Sequence, residues 1–175
     1  MKYHLLCCFF ITLASCTESR STANKEQGGI PDNAPDTFSE FEKAWTNLEH
    51  YTKDTLKTIE FPGEGGEVIV YHSQAEHLLM QVFIYGTTGK INYFYLLDKK
   101  LNHKLTKIVR YYYDRPFTET NMQIDSTINY INYLPGISYF DSNRILIKDT
   151  SITSALKTES ESLFKDIISK TDLHK

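Results

Sequence analysis

The sequence predicts an α+β domain in which N-terminal and C-terminal helices pack on one face of a twisted antiparallel sheet. That sheet is a four-stranded meander plus a later hairpin. Three observations carry this. Apolar residues recur at three- and four-residue steps from Phe38 to Ile59 and again from Ile152 to Ile168, the period of an amphipathic helix. From Glu67 to Tyr113 the period falls to two, in segments rich in Val, Ile, Tyr and Phe. The connections there are a few residues long, whereas parallel pairing needs crossovers of a dozen or more. Antiparallel order follows.

The chain opens with Lys2 and His4 and an apolar run, Leu5 to Leu13, that ends in Leu13-Ala14-Ser15-Cys16. The run is about half the ~20 residues a membrane-crossing helix requires, so it reads as an export signal and not as a truncated membrane span. Leu and two small residues before a cysteine resemble a bacterial lipobox, in which the cysteine is diacylated and becomes the new N-terminus. Residues 1–15 are then a lipoprotein signal peptide, and Cys16 is the lipidation site. Two or three acyl chains anchor firmly where a single chain binds only marginally. Thr17 in place of Asp points to the outer membrane under the enterobacterial sorting rule. The expected location is the bacterial cell envelope, facing the periplasm or the outside.

Cysteine usage agrees. Of three cysteines, Cys7 and Cys8 fall inside the signal, so the mature chain has no thiol pair for a disulfide. It also lacks a cysteine nucleophile and a zinc–thiolate site. Without residues 1–15 the chain has 160 residues, and loss of Lys2 moves the net charge from -3 to -4. Such a balance gives no electrostatic case for nucleic acid.

Residues 16–36 form the lipidated cysteine and a tether. Gly28-Gly29, Pro31 and Pro35 stand among small polar residues that cannot bury a core. A flexible chain of this length spans ~25 Å. A single domain, residues 37–175, follows. Phe38, Phe41, Trp45, Leu48, Thr52, Leu56 and Ile59 mark a first helix. Asp36 or Thr37 caps it, Glu40 completes a capping box, and Phe61-Pro62-Gly63-Glu64-Gly65-Gly66 ends it. Strands are expected at Glu67–His72, Leu78–Tyr85, Lys90–Leu97 and His103–Tyr113. Gly86-Thr87-Thr88-Gly89 supplies positive-φ residues for a tight hairpin, and Asp98 to Asn102 makes the next turn.

Residues 118–136 are polar and weakly patterned, with Asn129 to Leu134 either a short strand or a packed loop. Ile137–Phe140 and Ile145–Lys148 flank Asp141-Ser142-Asn143-Arg144 as a second hairpin. Ile152, Leu156, Leu163, Phe164, Ile167 and Ile168 share one side of a last helix, about Ser151 to Ser169. Tyr95 to Leu101 and Tyr139 to Ile145 both run aromatic, Asp, polar turn, basic, aliphatic. This is either an internal echo or one hairpin chemistry used twice.

Val82-Phe-Ile-Tyr85-Gly-Thr-Thr-Gly-Lys90, Tyr93-Phe-Tyr95 and Tyr113-Asp-Arg-Pro116 resemble segments of uncharacterised secreted lipoproteins of Bacteroidetes-type bacteria. The likeness extends more weakly to Tyr139-Phe-Asp141 and the final helix. It implies the same fold and location and carries no chemistry.

Candidate sites are few. Gly86 to Lys90 has two residues between its glycines, Ile91 after the lysine and a strand next, so it is a turn and not a phosphate loop. His72 and His77 flank a strand-to-strand turn with Glu76 nearby, without the dense spacing of a metal site. No cofactor is expected. An acid–base pair for a small hydrolase could be assembled from Glu64 or Glu67 with Asp98, or from Asp114 with Arg115. It would need carboxyls ~5 to 9 Å apart.

The unusual surplus is tyrosine, twelve in all. Tyr93 and Tyr95 share one strand face, and Tyr111 and Tyr113 share another. On neighbouring strands they could form a cross-strand ladder, with Arg110 and Arg115 as polar handles and Tyr112 packed beneath the helices. These six residues (Tyr93, Tyr95, Arg110, Tyr111, Tyr113 and Arg115) are the candidate ligand-binding set. The sequence therefore reads as a lipid-anchored, non-enzymatic envelope binding module whose partner is an envelope protein or a glycan. The competing readings are the small hydrolase and a purely structural outer-membrane lipoprotein.

Overall fold

The structure, a computed structural model, describes residues 36–56, 65–73, 77–116, 118–119, 121–171 and 173. The signal, Cys16 and the tether up to residue 35 lie outside these residues, as do Ile59, Glu64 and Glu76.

The order is α1 (Thr37–Thr46), a 3-10 turn at Leu48–His50, β1 (Thr52–Leu56), β2 (Gly66–His72), β3 (His77–Gly86), β4 (Gly89–Asp98), β5 (His103–Tyr113), β6 (Ile124–Asn132), β7 (Ser138–Phe140) and α2 (Thr150–Ser169). Every strand pairs antiparallel with its neighbour in sequence, giving one seven-stranded meander. The domain is α+β, but its sheet is a single seven-strand meander and not four strands plus a separate hairpin.

The predicted first helix is cut short. Asp36 caps it by accepting from the Ser39 amide at 3.0 Å. At the other end the Asn47 side chain takes the Lys43 carbonyl at 2.8 Å. Thr52 to Leu56, which continue the helical spacing, instead pair with β2 from Thr52↔His72 to Leu56↔Val68. Val68 to Tyr71 are buried on both faces, and leaving the backbone of such a strand unpaired on its outer edge would be costly. Pairing therefore wins over a weak helical pattern of β-branched residues.

Residues 118–136 hold β6, a full strand of nine residues. The Ile137–Lys148 hairpin is reduced to β7, a bridge between Phe140 and Leu146, and the Ile147 amide on the Tyr139 carbonyl at 2.8 Å.

Two turns share one geometry. The Asp98 carboxylate accepts from the Lys100 and Asn102 amides at 2.7 and 2.9 Å. Asp141 does the same for Asn143 and Ile145 at 2.8 and 2.9 Å. Leu101 and Arg144, three residues after each Asp, both adopt left-handed φ, 64° and 61°. The echo in the sequence is one hairpin chemistry used twice. The Gly86–Gly89 turn works differently, since neither glycine has positive φ. A Cβ on Gly89 would lie 2.4 Å from the Tyr111 carbonyl oxygen, so β5 passes too close for any side chain there.

The two helices pack on opposite faces, which corrects the expectation of one shared face. Phe38, Phe41 and Ala44 of α1 bury against Ile69, Tyr71, Leu79, Leu96, Leu105, Tyr130 and Phe140. Leu156, Phe164, Ile167 and Ile168 of α2 bury against Val68, Val70, Met80, Val82, Tyr93, Tyr95, Leu97, Ile108 and Ile131. Runs such as Val68-Ile69-Val70-Tyr71 are apolar at successive positions, so both faces of the sheet must be covered. The fold is a three-layer sandwich, helix–sheet–helix.

Candidate functional site

The six candidate residues divide between three environments. Tyr93 and Tyr95 lie on the face sealed by α2, 1% and 0% exposed. The Tyr93 hydroxyl donates to Glu159, which also pairs with Arg110. The Tyr95 hydroxyl donates to the Ser160 carbonyl at 3.3 Å. Burial, reinforced at Tyr93 by the Glu159 hydrogen bond, pushes both phenols far above their ordinary value and keeps them protonated. His103 stacks between Tyr95, Tyr133 and Phe164, with ring centroids 5.5, 4.8 and 4.2 Å away. Burial pulls its pKa down to about 4, so it is a neutral core group. Tyr93, Tyr95 and Arg110 are thus fastened beneath α2 and do not form part of an open face.

The cross-strand ladder does not form. β4 and β5 are neighbours, but Tyr93 stands opposite Ile108 and Tyr95 opposite Thr106, while Tyr111 faces Lys90 and Tyr113 faces Ile124. Arg115, in the turn after β5, bonds its own neighbour Asp114 at 3.2 Å. Asp114 in turn accepts from the Gln123 amide at 2.8 Å, so this pair closes a turn. The Glu67–Asp98 pair is also out of reach. Glu67 stands across from Phe83, and Phe83 from Asn92. Six residues along β4 then separate Asn92 from Asp98, about 20 Å.

Tyr111 and Tyr113 have a different setting. They point to the α1 side of the sheet, at the end α1 does not reach. α1 lies across the strands nearer the Asp98 turn, with Phe38 against Tyr130 and Phe140 and Trp45 against Tyr71 and Phe94. Beyond it lie Phe83 stacked on Tyr85 with centroids 6.3 Å apart, Lys90 with its ammonium 4.6 Å from the Tyr111 ring centre, Tyr113 and Ile124. Tyr85 is 42% and Ile124 57% exposed. Tyr112, on the other face, extends past the cover of α2 and is 48% exposed, so it does not pack beneath the helices.

A cleft of about 600 Å³ opens at the opposite end of the sheet, between the end of α1, the 3-10 turn and the ends of β1, β2 and β3. Glu40, Lys43, His50, Tyr51, His72 and His77 are among its walls. His77 Nε2 lies 2.9 Å and Lys104 Nζ 2.6 Å from the same Glu40 oxygen. Burial, with the Glu40 charge behind it, raises the Tyr51 phenol. Among the described residues no three His, Cys, Asp or Glu side chains are grouped to hold a metal ion.

Sequence reasoning missed Glu159, Ser160 and His103. The signal for the first two was present: they sit inside the apolar stripe of α2, three and four residues after Leu156. A carboxylate on a buried stripe requires a partner across the interface. The chain matches no protein-family model, no curated protein sequence and no solved structure.

Proposed function

We propose that this chain is a lipid-anchored binding module of the bacterial cell envelope, held through Cys16 and acting by recognition without chemistry. The anchor is supported by Leu13-Ala14-Ser15-Cys16 and the small polar residues after it, and by the resemblance to Bacteroidetes-type secreted lipoproteins. The observation that carries recognition is the uncovered half of the sheet. There Tyr85, Tyr111, Tyr113 and Ile124 offer aromatic and aliphatic area beside the Lys90 ammonium. Tyrosine suits such a surface because it is apolar along its ring and polar at its tip, with little side-chain entropy to lose. The partner is an envelope protein or glycan. Nucleic acid is disfavoured by the net charge of -3 for the full chain.

The test labels cells with an alkyne fatty acid and captures crosslinked partners from wild type, Cys16→Ser and Tyr111→Ala/Tyr113→Ala. The reading expects label and membrane association to vanish with Cys16→Ser. Loss of the partner is expected in the tyrosine variant, with the fold intact. An unlabelled wild type refutes the anchor, and an unchanged partner in the tyrosine variant refutes the surface.

A further inference from the structure

The cleft at the end of α1 lies at the other end of the sheet from the tyrosine surface and has its own chemistry. We infer that it binds a small organic anion, a carboxylate or phosphate group carried on a compact body. The argument rests on which polar groups there are already committed. Glu40 is the one acid among the described wall residues, and its carboxylate is taken up by Lys104 and His77. Tyr51, kept protonated, is a donor. The ammonium of Lys43 has no acidic partner among the described residues, and the Asn47 amide nitrogen is already spent on the Lys43 carbonyl. An unpaired ammonium and a phenol O–H thus line a concave site large enough for a monosaccharide-sized guest.

The histidines extend the same logic. Each stands against one carboxylate: His50 against Glu49 at 3.5 Å, His72 against Asp54 at 3.4 Å, and His77 against Glu40 at 2.9 Å. Glu49 and Asp54 are mostly exposed, with 66% and 64% of their side-chain area open to water, so solvent screens them. His77 Nδ1 is buried and has no hydrogen-bond partner. Each imidazole is thus matched with an acid, which leaves Lys43 as the unpaired charge among the described wall residues.

Three ligands sharing one body make the test: glucose 6-phosphate, glucuronate and glucose. Each is titrated by NMR chemical-shift perturbation into wild type, Lys43→Met and His72→Gln at pH 7. Lys43 is exposed, so its replacement leaves the fold intact. Thermal melts of both variants check this. The inference expects at least one charged sugar to bind about tenfold tighter than glucose, with shifts centred on Tyr51, His72 and His77. Lys43→Met should weaken it about tenfold, as loss of a charged hydrogen bond does. His72→Gln, which leaves Lys43 in place, should weaken it less than Lys43→Met does. Preference for the phosphate or the carboxylate sugar distinguishes the two anion types. Equal binding of glucose, no shifts at millimolar ligand, or Lys43→Met binding like wild type overturns the inference. Tyr111→Ala leaves anion binding unchanged, so failure here does not touch the proposal for the tyrosine surface.

Discussion

Tyr95 and Tyr111 stand on neighbouring strands of one sheet and have opposite surroundings. Tyr95 is wholly buried beneath a twenty-residue helix, its hydroxyl on the Ser160 carbonyl and its ring against Phe164 and His103. Tyr111 lies on the other face beyond the reach of α1, its ring beneath the Lys90 ammonium. The difference comes from where each helix lies. α2 packs directly over Tyr95, while α1 crosses the other face nearer the Asp98 turn and leaves Tyr111 half-buried. Residue type alone does not mark a binding tyrosine; the element packed over it decides.

The comparison breaks most visibly at Tyr95. Replacing it by Ala removes a fully buried ring and should cost about 3–5 kcal/mol, read as a lowered urea midpoint. A loss below ~1 kcal/mol would mean that α2 does not seal this face.

Acid should act on the same layer next. Burial pulls His103 down to about 4 in the fold, against 6.5 for an ordinary histidine. The unfolded chain therefore binds more protons between these values. Stability is whole above pH 6.5 and declines as pH falls toward 4, by roughly 2–3 kcal/mol. His103→Phe should flatten that slope in denaturant titrations from pH 7 to 4.

A smaller effect is expected at the tie between α2 and the sheet. Glu159→Gln leaves the Arg110 guanidinium half-buried without its carboxylate and should cost about 1–2 kcal/mol. An apolar pair, Arg110→Met with Glu159→Leu, should recover most of it. The smallest change in stability falls on the open half, where Tyr111→Ala should cost under ~1 kcal/mol. The large effect there is on partner capture.

Much of this architecture was legible in residue patterns. β2 to β5 are rich in β-branched and aromatic residues and are bounded by short turns, and the Asp98 and Asp141 turns announce themselves by an Asp followed by polar residues. The stripe from Leu156 to Ile168 gave α2 to within a residue. β1 was misread because Thr52 and Leu56 happen to continue the spacing of α1, and only the exposed edge of β2 decides the matter. β6 was blurred because its first four residues, Ile124 to Thr127, are all exposed; with neither face buried, there is no alternation to read. The candidate site was legible only by residue type. Tyr93, Tyr95 and Arg110 went to the core because register and helix placement are long-range, whereas Tyr111 and Tyr113 fall on the open half because α1 crosses the sheet nearer the Asp98 turn. Cys16 and the tether lie outside the described residues, so their reading rests on sequence.

The most direct test of the central claim is site-specific photocrosslinking in cells expressing the anchored protein. A benzoylphenylalanine replaces Tyr111 in one strain and Lys157, on the exposed side of α2, in another. The account predicts a discrete crosslinked species from position 111, none from position 157, and its loss with Cys16→Ser. The same species from both positions, or none from 111 in a folded protein, would contradict it.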